Sequence, residues 1–115
     1  MVQLLLRLTA APGHAHEVVQ ALHPHVTRAV HSNGCRAAHL AADVEAADVY
    51  WYCEEWDDES ALEATIRAPQ FTELLALMET SAEPPLLEFR VLEEAKGLDY
   101  VATLRACAAP PRRHP

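Results

Sequence analysis

The most constraining feature of the sequence is YWYCEEWDDESALEATIRAPQFTELLALM, which covers residues 50–78. Its first part alternates as a strand does, so Tyr50, Tyr52 and Trp56 would share one face. Trp51 would lie on the opposite face. An acidic turn follows, and the residues after it have helical spacing. A strand that runs directly into a helix lets both elements bury apolar groups in one space. We therefore expect a functional site here if the chain has one.

The first 43 residues have the pattern of a strand, a helix and a second strand. Apolar residues alternate over residues 2–9, which predicts a strand. Residues 14–32 carry an apolar stripe at helical spacing, and Pro24 within it predicts a kink or a locally broken turn. Asn33-Gly34 then favours the end of that helix. The alanine-rich segment that follows is a weaker strand prediction, because alanine is a poor strand former.

The remaining elements complete an alternating order. Residues 44–48 fit a hairpin connection into the aromatic strand. Asp57 or Asp58 can cap the following helix, and Pro69 is well placed to begin a new helix after a break. Alternation at residues 87–91 predicts the last strand. The order β-α-β-β-α-β is that of an α+β, ferredoxin-like fold, with helices on one face of an antiparallel sheet.

Composition and charge limit the partners that the chain can have. The formal net charge is −8 over 115 residues, which argues against nucleic acid and against an anionic membrane surface. No apolar run approaches the length of a membrane span. The three cysteines form no CxxC pair, so we expect free thiols. We also expect no signal peptide and a cytoplasmic location.

The motif EEWDDESALEATIRAPQF resembles the antibiotic biosynthesis monooxygenase family, whose fold is the dimeric α+β barrel. The resemblance extends to Pro12-Gly13 before the first helix and to Asn33-Gly34 before the second strand. The resemblance spans roughly residues 2–93, so we expect a domain over residues 1–95, and residues 96–115 are expected to form an arm and, because the last residues are rich in proline and arginine, a disordered tail. The segment LDYVATLR after Gly97 fits either a short extra strand or such an arm.

The resemblance also implies a function. Enzymes of this family oxidise phenolic or quinol-type aromatics with molecular oxygen and need neither metal nor flavin, so no cofactor is expected. Each subunit of a homodimer would hold its own pocket between sheet and helices, and the apolar outer sheet face would form the dimer contact. Trp56 and Phe71 match the family's aromatic residues and would line the pocket, while Tyr52 would orient the small aromatic ligand.

One departure from the family pattern concerns the base. Many members carry a histidine in the helix after A-L-E-A, where this chain has Thr65, which would line the pocket but is no general base near neutral pH. His39 on the second strand is the candidate catalytic base if it faces the pocket. The first strand lacks the Asn of the heme-degrading relatives. The alternative is a non-catalytic, dimeric protein that binds a small ligand or has an accessory role.

Two groups of polar residues are interpreted as having no site role. Five histidines crowd residues 14–31, but their pairs two residues apart diverge on a helix, so no metal site is expected. They are interpreted as solvated or capping residues. The acidic run that begins at Glu54 and Glu55 is interpreted as a solvated turn before a helix N-terminus.

Overall fold

The computed structural model describes residues 1–108. Four strands form one antiparallel sheet in the order β2-β3-β1-β4. The predicted ferredoxin-like order is confirmed, with the second helical segment divided in two. The elements are β1 (Val2–Thr9), α1 (Ala15–Val30), β2 (Cys35–Ala42), β3 (Val49–Trp56), α2 (Glu59–Arg67), α3 (Pro69–Glu79), β4 (Leu86–Val91) and α4 (Leu98–Ala108).

The core lies between the helices and one face of the sheet. Central strand β1 pairs with β3 and β4 and buries every second residue against the helices, among them Leu4, Leu6 and Leu8. Leu6 is paired with Tyr52 of β3, so the two side chains share the covered face. The predicted division of the aromatic strand is therefore confirmed: Tyr52 and Trp56 point to the core side, and Trp51 lies on the open side.

Helix α1 runs continuously through Pro24, which lacks the N–H that would bond one turn back. The predicted locally broken turn is absent from this helix. The helix buries Val18, Leu22 and Ala29 and ends at Val30, just before the predicted Asn33-Gly34 stop.

The break between α2 and α3 follows the chemistry that the sequence predicts. The Asp58 side chain caps α2 by accepting a hydrogen bond from the Ala61 backbone N at 2.9 Å. Pro69 occupies the first turn of α3, where its missing N–H costs nothing. The break at Ala68 changes the chain direction and creates the corner beside which the candidate site lies.

Gly34 allows the loop before β2 to pass close under α2. Its φ is +85°, and a Cβ at this position would lie 2.7 Å from the Ala61 Cβ. The Gly34 carbonyl also accepts a hydrogen bond from the Asp57 backbone N at 2.8 Å, which ties this loop to the end of β3. Both the backbone conformation and the contact therefore require glycine.

We expect Gly34→Ala to lower the free energy of unfolding by about 1–3 kcal/mol, measured by urea denaturation. Gly13→Ala is the matched control, because Gly13 has φ +83° but open space around its Cα. Gly13→Ala introduces the backbone strain without the contact, so it should lower the free energy of unfolding by less than Gly34→Ala does. Equal losses for the two variants would contradict the role assigned to the close approach.

The segment after Gly97 is a helix, so the interpretation as a short extra strand is wrong. Its apolar side chains Leu98, Tyr100, Val101 and Leu104 are exposed. The predicted disordered tail falls mostly on residues 109–115, outside the described residues. Within residues 1–108, no helix combines the length and apolar character needed to cross a membrane.

Candidate functional site

A cavity of about 250 Å³ opens between α1, the end of β3 and the α2–α3 corner. Its walls combine apolar side chains with several polar groups, including a carboxyl, an imidazole and a guanidinium. The lining residues are His25, Arg28, Ala29, Ser32, Glu54, Trp56, Thr65, Ala68, Gln70, Phe71 and Leu74.

Three of the predicted site residues line this cavity. Trp56 comes from the end of β3, Thr65 from α2 and Phe71 from α3, so three separate elements bring them together. Trp56 is only 1% exposed, and Phe71 is also buried. The space that these three residues bound is open, which a sequence alone could not establish.

Tyr52 lies beneath the cavity and is not among its lining residues. It is fully buried, and its phenolic OH donates a hydrogen bond to the Glu54 carboxyl. Burial raises the pKa of Tyr52, and the neighbouring Glu54 raises it further. Tyr52 therefore supports the lining residue Glu54, and the structure does not place Tyr52 on the cavity wall.

His39 lies on the opposite side of the sheet from the cavity. It pairs with Cys53 of β3, on the open face that also carries Trp51. Its side chain is exposed and not among the residues that line the cavity. The expectation that His39 faces the pocket is therefore wrong, because residues directly opposite each other on paired strands point to the same face.

Glu54 is the lining residue that the sequence interpretation missed. It is 4% exposed and not part of a solvated turn, because it alternates with Tyr52 and Trp56 on the covered face of β3. Its Oε1 accepts a hydrogen bond from the Trp56 Nε1 at 2.9 Å, and its Oε2 accepts one from the Tyr52 OH. Burial raises the pKa of Glu54, and these two hydrogen bonds oppose the rise. The alternation of residues 52, 54 and 56 was the signal that could have revealed it.

Helix α1 contributes a second missed group. His25, Arg28 and Ala29 share one face of α1 at i, i+3 and i+4, Ser32 follows shortly after the helix ends at Val30, and all four line the cavity. The His25 ring meets Tyr52 edge to face, with the ring centroids 6.4 Å apart. Burial lowers the pKa of His25 and the Arg28 guanidinium lowers it further, while Glu73 acts in the opposite direction.

This arrangement brings a proton acceptor next to an apolar wall. Neutral His25 can accept a proton, and Phe71 and Leu74 supply apolar contact area. Among residues 1–108, no three His, Cys, Asp or Glu side chains are grouped so that they could hold a metal ion.

The solved structures that resemble this chain share its fold. A candidate antibiotic biosynthesis monooxygenase of Deinococcus radiodurans is 19% identical, with a TM-score of 0.77 over 85% of this chain and 98% of its own. A protein of Mycobacterium tuberculosis is 18% identical, with a TM-score of 0.71 over 83% and 98%. A protein of Pseudomonas aeruginosa is 24% identical, with a TM-score of 0.68 over 81% and 94%.

No curated protein matches this sequence. The family model described as antibiotic biosynthesis monooxygenase matches residues 1–77. This range includes the strand β3, helix α2, most of helix α3 and every residue that lines the cavity. The chain therefore belongs to the antibiotic biosynthesis monooxygenase family.

Proposed function

We propose that this protein is a small monooxygenase that oxidises an aromatic, quinol-type substrate with molecular oxygen in the α1–β3 cavity. The observation that carries the proposal is the cavity itself, where a half-buried imidazole and a buried carboxyl adjoin an apolar wall. Its volume of about 250 Å³ lies near the lower end of ligand pockets, so a substrate of one or two rings fits best.

In this proposal, the substrate supplies all the electrons. A phenol transfers its hydroxyl proton to His25, and the resulting phenolate passes an electron to oxygen. The radical pair then forms a carbon–oxygen bond at a ring C–H position, and protonated His25 returns its proton to the outer oxygen of this peroxide, which gives a hydroperoxide. Loss of water from that hydroperoxide leaves a quinone carbonyl, so one oxygen atom enters the product and the other leaves in water. This balance needs no metal or flavin.

His25 takes the role of base that the sequence assigned to His39. Burial and the adjacent Arg28 keep its pKa below the ordinary value, so the imidazole is neutral near neutral pH and can accept a proton. Thr65 also lines the cavity and can form a hydrogen bond with the substrate.

Glu54 gives the cavity its fixed shape. Because one carboxyl group holds both the Trp56 indole and the Tyr52 phenol, the wall of the cavity is tied to the core of the sheet. A wall held in place by buried hydrogen bonds can position a ring for reaction without moving first.

The test is incubation of the protein with a panel of phenols and quinols, with and without oxygen. Oxygen-dependent product formation above the protein-free rate supports the proposal. If ligands raise the melting temperature but none is turned over, the result would contradict the proposed oxygenase activity. It would instead support a non-catalytic protein that binds small aromatic molecules.

We also propose that the protein is a cytoplasmic homodimer that packs through the open face of its sheet. Leu5 and Trp51 lie half-buried on this face, which no helix of the covered side reaches. Apolar side chains on a sheet face that no helix covers favour association with a second copy. The free thiols of Cys35, Cys53 and Cys107 are suited to a reducing compartment.

We expect Leu5→Glu to convert the dimer into a monomer in size-exclusion chromatography with light scattering, because it buries a charge between two sheets. Leu75→Glu is the control, since Leu75 is exposed on α3 on the other side of the molecule. A wild-type protein that is monomeric at micromolar concentration would contradict the proposed dimer.

A further inference from the structure

Arg28 is the one cationic side chain that lines the cavity, and its charge is not neutralised by a neighbouring acid. Arg36, Arg67 and Arg90 each pair with a carboxylate at 2.6, 3.5 and 2.8 Å, respectively. Among the described residues, Arg28 forms no such pair, although the chain has 17 acidic residues against 9 basic ones. Arg7 and Arg105 also form no such pair among the described residues, but neither lines the cavity, so Arg28 is the guanidinium that an anion bound there can reach.

The surroundings of Arg28 are polar on one side and apolar on the other. Ser32, Thr65 and Gln70 line the same cavity and can donate hydrogen bonds, while Phe71 and Leu74 form the apolar part. Buried Glu54 is the carboxyl in this wall, and both of its oxygens are already engaged by Tyr52 and Trp56. The two hydrogen bonds commit Glu54 to the sheet and leave the Arg28 guanidinium for a ligand.

We infer that Arg28 anchors a carboxylate carried by the aromatic substrate, so that the substrate class is a hydroxylated aromatic acid. The planar guanidinium forms paired hydrogen bonds with a carboxylate, which a phenol oxygen cannot match. Arg28 follows His25 by three residues on one helix face, and such neighbours have Cβ atoms about 5–6 Å apart. The acid and the reacting hydroxyl therefore lie on one ring or on adjoining rings.

This inference rests on the proposed function for the hydroxyl group, but its test does not require turnover. The probes are 2-naphthoate and 2-naphthalenemethanol, which have the same rings and differ in charge, and neither carries a ring hydroxyl. Binding is measured by quenching of tryptophan fluorescence, since Trp56 lines the cavity.

We expect 2-naphthoate to bind the wild-type protein about tenfold more tightly than the alcohol. Arg28→Gln should remove this preference and leave affinity for the alcohol unchanged, whereas Arg28→Lys should keep part of it. Arg67→Gln is the matched control, because it removes a surface charge of the next helix that does not line the cavity. The preference should also weaken from about 50 mM to about 500 mM salt, because Arg28 is exposed.

Equal affinity of the wild-type protein for the two probes would overturn the inference, and so would a preference that survives Arg28→Gln. Failure of both probes to bind would overturn it as well. If the acid preference holds but no phenol is oxidised, the anchor stands and the proposed oxygenase fails. The two proposals can therefore fail separately.

Discussion

His25→Gln is expected to lower kcat about 10²-fold with any phenol that the wild-type protein oxidises, because the substrate then loses its proton acceptor. Glutamine retains the size and hydrogen-bonding capacity of the side chain but cannot take up a proton near neutral pH. KM should change little, since the aromatic ring of the substrate would still contact Phe71 and Leu74, which line the cavity. Steady-state oxygen uptake measures both constants.

His23→Gln is the matched control for this substitution. His23 lies on the same helix, is exposed and is not among the residues that line the cavity, so kcat should be unchanged. A His25→Gln variant that keeps the wild-type kcat would show that His25 is not the base.

The pH profile gives a second readout of the same role. The charged groups that act on His25 are Arg28 on its own helix and Glu73 on α3, and their net effect together with burial is a lowered pKa. Activity should therefore be level at neutral pH and fall only as the pH drops below the ordinary histidine pKa, where the imidazole becomes protonated. If kcat already began to fall above neutral pH as the pH is lowered, His25 would not be neutral at neutral pH.

Glu54→Ala is expected to lower the free energy of unfolding by about 2–5 kcal/mol, because it leaves the Tyr52 OH and the Trp56 N–H buried without an acceptor. Urea denaturation followed by tryptophan fluorescence measures the loss. Glu55→Gln is the control: Glu55 lies on the open face, where its carboxylate accepts a hydrogen bond from the Gln3 Nε2 at 3.4 Å. That change should stay within about 0.5 kcal/mol.

The isosteric variant Glu54→Gln isolates the effect of ionisation. Burial raises the pKa of Glu54 in the folded state, so the folded protein binds this proton at pH values where the unfolded chain has lost it. Wild-type stability should therefore fall as the pH rises from the unfolded pKa through the folded pKa. This component should be absent from Glu54→Gln, so wild-type stability should decline relative to the variant as the pH rises above the ordinary glutamate pKa. A constant difference would mean that Glu54 ionises equally easily in both states.

The fold was predictable because its signals are local. Alternation at Leu4, Leu6 and Leu8 predicts the central strand, and Asp58 and Pro69 predict where the two corner helices begin. Helix α4 was not predicted because its apolar residues are exposed. They do not form the buried stripe by which a helix is recognised.

The candidate site was predictable only in part, because it depends on which faces meet. The orientation of His39 could have been predicted from the sequence. A hairpin centred on Ala46 pairs His39 with Cys53. Cys53 alternates with Tyr52 along β3 and therefore lies on the open face, so His39 must lie there too. Glu54 looked solvated because five of the six residues from Glu54 to Glu59 are acidic, and its burial depends on the helices that cover the sheet. His25 was compared with other histidines and not with Arg28, its neighbour on the helix face.

The most direct test of the central claim is to supply oxygen labelled with a heavy isotope and to follow the label by mass spectrometry. The account predicts that one labelled atom enters the aromatic product for each labelled water released, and that His25→Gln suppresses this incorporation while His23→Gln does not. Product without label, or equal labelling by the wild-type and His25→Gln proteins, would contradict an oxygenase reaction in this cavity.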